Sequence, residues 1–348
     1  MKSIKWVVLA FCFVVLAFYA CQSLKRTKAP RSGAVTTKHA TGSAKCDGKK
    51  GDDLIRAIFP DETSWKKVFV VANTDATCNG RTALSREHLI SAVKDPRYND
   101  FLGSNSTATN IQELASFLAN ASHETTGAAE GKFDGGLCFA VERGCPGAAK
   151  CSNYCHDPDA WGPKCPDGYY GRGALQISWP MNYAEVSKDI FGDANILLNN
   201  PDGLLSSDTA WKASLVFWLK HIGGFGDTSQ TTIKNQATCH NAIVSNTVDF
   251  GKTIEVINGD IECNSLDVPE AINRIDYYKT YVNAFSSACG MKIEPTTNLK
   301  CVLKATKSSR CGKDWTDANS RCGQVCRTAD DCPKGEACFG RLDTKVCQ

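Results

Sequence analysis

Acidic residues are missing from the first 45 positions of this chain, although 37 follow. Those 45 positions hold 8 of the 40 Lys and Arg, so the remaining 32 face all 37 acids and leave a net charge of −5. The formal charge of +3 therefore belongs to the leading segment, and the remainder lacks the clustered basic surface that a nucleic-acid partner requires. The apolar run at 6–20 stops at fifteen residues, short of the ~20 that a spanning helix needs. Strand signals are sparse. No His lies four positions from His123, which removes a zinc-protease helix despite the His123-Glu124 pair.

What the leading segment does contain is Lys2 and Lys5 ahead of that apolar run, the layout of a secretory signal. Residues 1–20 are read as that signal. Phe18 is a poor residue three positions before a cut after Ala20, so an uncleaved anchor, and with it a membrane location, stays open as the alternative. Residues 21–45 are rich in Lys, Arg, Ser and Thr and bury too little to fold, which makes them a flexible basic linker.

The 19 Cys point to an oxidising compartment, where stapled loops persist. Between Cys46 and Cys301 the text reads mainly helical, with segments at 53–59, 85–94, 183–190, 209–220 and 269–285 separated by Gly- and Asn-rich loops. Residues 302–310 form a Lys/Ser/Thr linker. Residues 311–348 pack six Cys into a piece with almost no apolar run, which only disulfides can hold. Its Trp315 and Phe339 offer a sugar-stacking surface, with a self-packed knot as the competing reading.

One further helix carries the chemistry. Ile111, Leu114, Ala115, Leu118 and Ala121 recur at helical spacing, and Asn110 with Glu113 fits a capping box, so a start near Ile111 is expected. Glu124 then falls at the C-terminal end, where the helix dipole favours the neutral carboxyl that a general acid needs. Eighteen positions on, Glu142 stands in a Cys-bounded loop, followed by the Gly-rich stretch 169–178. Two carboxylates in unlike settings suggest an acid and a base facing a cleft.

Five blocks in order carry a specific resemblance: 117–127 ending Ser-His-Glu-Thr-Thr-Gly, 138–144 reading Cys-Phe-Ala-Val-Glu-Arg-Gly, 169–178 with Asn182-Tyr183, 257–263 and 274–279. Together they resemble family 19 glycoside hydrolases, the plant-type chitinases, over about residues 46–301. The resemblance implies a disulfide-stapled, lysozyme-like two-lobed fold with a central cleft. It implies Glu124 as acid, Glu142 as water-activating base and Ser178 as the residue holding that water. Thr125, Trp161, Tyr170, Gln176, Asn182, Asn258 and Arg274 would bind substrate, with core packing the competing reading for Trp161. Glu262 and Arg274 would form a charged network around the base. Pairs Cys78 with Cys138, Cys155 with Cys165, and Cys263 with Cys301 follow from the same source, leaving Cys46, Cys145, Cys151, Cys239 and Cys289 unassigned.

Ala174, Trp179-Pro180-Met181 and Asp260 depart from the family pattern without removing a catalytic group. The implied activity is an inverting endochitinase, secreted, monomeric, acting on chitin without metal or organic cofactor. A zinc site from Cys145, Cys151, Cys155 and His156 is the weaker alternative for those residues. Rival functions are a peptidoglycan-cleaving wall hydrolase and a catalytically silent chitin-binding protein. Of the glycosylation sequons at Asn105 and Asn120, only the first avoids the catalytic helix. Removing residues 311–348 is expected to weaken retention on insoluble chitin and to spare hydrolysis of small soluble oligomers. A pull-down on chitin beads beside an oligomer assay checks both halves.

Overall fold

Eighteen residues of α-helix, Thr107–Glu124, form the centre around which the other elements gather, and fourteen of them are buried. In a computed structural model of the protein, the described residues are 44–127, 135–155, 162–220, 238–263, 268–301 and the pairs 338–339 and 346–347. In chain order the helices are α1 (Gly51–Ile58), α2 (Glu62–Val68), α3 (Val70–Thr74), α4 (Gly80–Ala83), α5 (Arg86–Val93) and α6 (Thr107–Glu124). They continue as α7 (Pro180–Phe191), α8 (Asn195–Asn199), α9 (Thr209–Lys220), α10 (Cys239–Val244), α11 (Phe250–Glu262) and α12 (Pro269–Ala288). A small antiparallel ladder of β1 (Cys338–Phe339) and β2 (Val346–Cys347) sets Cys338 opposite Cys347. The chain is mainly α, as its sequence implies.

Because α6 is covered on nearly all sides, its apolar stripe and its polar residues both need internal partners. Phe117 meets Phe101 and Trp218 with ring centroids 5.0 and 5.3 Å apart, both edge-on. Ser122 shares a 2.7 Å hydrogen bond with the Tyr281 hydroxyl of α12, and Asn120 donates to Thr253 Oγ1 of α11 at 3.0 Å. A second aromatic cluster, Phe59, Trp65 and Phe285, closes the far end of α12. Every polar side chain satisfied in this way fixes a neighbouring helix, since an unpaired buried group would cost about 1–3 kcal/mol.

The start of α6 differs from the sequence expectation. Ser106 is the N-cap and accepts from the Thr109 N–H at 3.2 Å, four residues earlier than the Asn110 cap. Asn110 is fully buried and donates to the Ser104 carbonyl, while Glu113 lies inside as a hub. Glu113 accepts from the Leu102 N–H, from Trp218 Nε1 and at 2.6 Å from His240 Nδ1. Its partners are remote in sequence, so a local capping rule misreads it. A second difference is α11, a helix absent from the segments read in the sequence, which continues past a kink at Asn258 (φ −150°, ψ 37°).

Five disulfides hold the described residues. Cys78–Cys138, Cys155–Cys165 and Cys263–Cys301 are the pairs that the resemblance implies. Cys46–Cys289 and Cys145–Cys151 use four of the unassigned cysteines, and Cys239 stays reduced and buried. Ser106→Ala is expected to lower stability by about 1 kcal/mol through loss of the cap. Urea unfolding would read this as a lower midpoint at unchanged slope, and an unshifted midpoint would restore the later helix start.

Candidate active site

The end of α6 is locked before Glu124 is aimed. Thr125 Oγ1 donates to the Ala121 carbonyl at 2.6 Å and accepts from the Leu137 N–H at 2.8 Å, so one hydroxyl closes the helix and ties down the segment leading to Glu142. Gly127 follows at φ +71°, where a Cβ would strike the Phe139 ring. Thr125 is fully buried, which corrects its expected contact with substrate. Its hydroxyl is spent on backbone.

Glu142 is placed by backbone pairing rather than by a helix. Its N–H donates to the Gly171 carbonyl at 2.8 Å, and antiparallel bridges Val141–Arg172 and Arg172–Ile177 fold the Gly-rich stretch against it. Gly171 leaves room for the Gln176 side chain, whose Oε1 would lie 2.8 Å from a Cβ there. The carboxylate Oε2 accepts from the Tyr154 hydroxyl at 2.7 Å and the Gly171 N–H at 3.1 Å. Lys150 Nζ stands 3.1 Å from Oε1. Tyr154 and Lys150 come from the Ala149–Cys155 turn, which Cys145–Cys151 and Cys155–Cys165 fasten on both sides.

Arg274 lies against Glu124, a correction to the expectation that it surrounds Glu142. Its guanidinium grips Glu262 through two bonds of 2.7 and 2.6 Å, donates to Glu124 Oε1, and reaches Asn120 Oδ1 at 3.2 Å. Asn258 Nδ2 adds a 2.8 Å bond to Glu262 Oε1. The physical reason is helix geometry: α12 packs along α6, so its buried Arg meets the residue at the α6 terminus.

One cation thus serves two acids, and their protonation preferences part. Burial pushes the Glu124 carboxyl above the usual carboxylate range, with Arg274 opposing and Glu262 assisting. Burial also works against ionisation of Glu262, yet its forked contact with Arg274 holds it below that range. His123 is pushed down to about 3 by burial and by the Arg274 charge.

Glu124, Glu142, Gln176, Asn258, Glu262 and Arg274 all line one cavity of about 240 Å³. Ser178, Tyr170 and Asn182 do not line it. Ser178 donates to the Gln176 carbonyl at 3.0 Å, the Tyr170 ring is covered by Arg172 at 3.8 Å, and Asn182 Nδ2 donates to the Ser178 carbonyl at 2.9 Å. These three brace the turn that carries Gln176. Trp161, Trp315 and the N-terminal segment lie outside the described residues. Asn120 is wholly buried, which closes its sequon, whereas Asn105 is exposed.

Sequence reasoning missed Tyr154, Lys150, Arg143 and Glu270. The last three line the cavity, and Tyr154 bonds the base candidate. For Lys150 and Tyr154 the signal was their position among four clustered cysteines, for Arg143 its place beside Glu142, and for Glu270 there was none. Those cysteines are consumed in two disulfides, so the zinc alternative loses its thiolates. Among the described residues no helix is long and apolar enough to cross a membrane.

Two carboxylates in unlike settings on one polar cavity, in a helical disulfide-stapled scaffold, fit the class of glycoside hydrolases. A family model described as class I chitinase matches residues 62–301, and the chain belongs to that family, glycoside hydrolase family 19. It is 30% identical to a basic endochitinase of Vitis vinifera over 263 residues, covering 71% of this chain and 75% of that protein. Endochitinase CH25 of Brassica napus is 31% identical over 245 residues, covering 65% and 67% respectively. Among solved structures, chitinase C from Streptomyces griseus HUT6037 superposes with a TM-score of 0.52 at 30% identity, covering 69% of this chain and 96% of that one.

Acid stability carries the mark of His123. Folded His123 refuses the proton that an unfolded His takes near 6.5, so stability is full above that pH and falls as pH drops toward 3, by up to about 1.4 kcal/mol per unit. Denaturant midpoints measured across this window should fall less steeply for His123→Gln than for the parent. Equal slopes would contradict the buried neutral imidazole.

Proposed function

We propose that this protein is a secreted endochitinase that hydrolyses internal β-1,4 links between N-acetylglucosamine units with inversion at the anomeric carbon. The observation that carries the reading is the contrast between the two glutamates on one cavity. Glu124, partly buried and raised in pKa by desolvation, suits protonation of the glycosidic oxygen. Glu142, held by three donors that orient its oxygens, suits removal of a proton from water.

In this scheme the water oxygen bonds to the anomeric carbon on the face opposite the leaving sugar as the glycosidic bond breaks. Glu142 takes the water proton and Glu124 gives its own to the leaving oxygen, so charge balances within the site. Such a route calls for carboxyl groups roughly 6.5–9.5 Å apart with water between them. A cavity of about 240 Å³ exceeds the ~30 Å³ share of one water and leaves room for sugar. Gln176 and Asn258, both lining it, are the proposed amide contacts for hydroxyl and acetamido groups.

Secretion draws support from the five disulfides, which persist in oxidising compartments. Glu124→Gln is expected to keep binding to chitin oligomers and to lose at least ~10²-fold in turnover. Proton NMR of the first products from a chitin oligomer should give the α anomer. Near-parental turnover of the variant would overturn the acid assignment, and a β product would overturn inversion.

A further inference from the structure

Trp179 holds a backbone conformation that side chains rarely adopt, φ 72° and ψ 140°, at the point where the Gly-rich stretch turns into α7. The position is fixed by main-chain bonds: its N–H donates to the Tyr169 carbonyl at 2.9 Å, and its carbonyl accepts from the Asn182 and Tyr183 N–H groups at 3.1 Å each. Glycine would occupy that conformation without strain. A large aromatic there, only partly buried, calls for a reason beyond the turn itself.

The ring supplies one. Trp179 packs edge-on against Tyr154, with centroids 5.5 Å apart at 81°. Tyr154 in turn donates its hydroxyl to Glu142 Oε2 at 2.7 Å. Tyr154 is a partly buried ring packed against the hydrophobic core, and the Trp179 edge is a wall that limits the swing of its phenol. With the Gly171 N–H also on Oε2, two fixed donors hold one oxygen, whereas Oε1 meets the half-exposed Lys150 Nζ at 3.1 Å, a flexible partner beside which a water can bind.

We infer that Trp179 and Tyr154 are positioning residues for the base: the strained Trp179 backbone aims its ring at Tyr154, and Tyr154 fixes which oxygen of Glu142 faces the reacting water. This deepens the proposed function and rests on Glu142 being the base. Neither residue lines the cavity, so both act through Glu142 rather than on the sugar.

The test compares kcat and KM on a soluble chitin oligomer for the full chain and for Trp179→Gly, Trp179→Phe, Tyr154→Phe, the double variant Tyr154→Phe/Trp179→Gly, and Glu142→Gln. Trp179→Gly and Tyr154→Phe should each lower kcat by about 10-fold with KM within about 2-fold, the split expected for an interaction made in the transition state. Trp179→Phe, which keeps an aromatic edge, should restore most of the rate. Since Trp179 acts through the Tyr154 hydroxyl, the double variant should be no slower than Tyr154→Phe alone. Unchanged kcat in Trp179→Gly, or losses that multiply in the double variant, would overturn the inference. Should Trp179→Gly not fold, Trp179→Leu carries the same comparison. Retained turnover in Glu142→Gln would instead refute the base assignment, an outcome separate from the other two.

Discussion

A single buried guanidinium, that of Arg274, decides how the site is charged and how three helices meet. It joins Glu262 on α11 to Glu124 and Asn120 on α6 while sitting on α12. A buried cation is tolerable only when its hydrogen bonds are filled and its charge is matched. Two carboxylates compete for that charge. Glu262 takes the bidentate contact and a further bond from Asn258, so the negative charge settles there and Glu124 is left the better proton holder. The asymmetry in protonation between Glu124 and Glu262 is therefore a matter of how many donors each receives.

Magnitudes choose between the two reasons for a raised Glu124 pKa. A helix C-terminus acting on an exposed carboxylate is worth about 0.3–1 kcal/mol, less than one pH unit. Burial can move a carboxyl by up to about 3–5 units. The dipole points the right way, but desolvation by the covered end of α6 dominates, and it requires the surroundings that only tertiary packing provides.

Local periodicity was therefore enough to find α6 and to put Glu124 at its end, because a stripe of apolar residues is written in consecutive turns. It was not enough to place the cap or to explain Glu113. Ser104, Ser106 and Asn110 are all capping types within seven positions, and Glu113 matched an N3 residue by spacing alone. Its true partners, Trp218 and His240, are more than a hundred residues away. Thr125 shows the converse limit. Motif matching put it beside the acid, but a side chain on a helix cap points back to the helix as readily as out to the cleft, and here it points back. Arg274 was found by the same matching and assigned to the wrong glutamate, since no spacing in the sequence tells which carboxylate a remote Arg will meet.

The two carboxylates, Glu124 and Glu142, are made rigid by different means. Glu124, the proposed acid, ends a helix buried on nearly every side, which supplies rigidity and desolvates its carboxyl. Glu142, the proposed base, is no more exposed, its side chain at 17% against 20% for Glu124, but it takes polar donors from an irregular loop. Such loops lose order easily unless closed by something other than a core. Disulfides spanning 6 and 10 residues around Tyr154 each remove about 2–3 kcal/mol of unfolded-chain entropy in the loop-closure account. That is comparable to burying a large side chain, so covalent staples take the place of helix packing in the loop that holds Glu142.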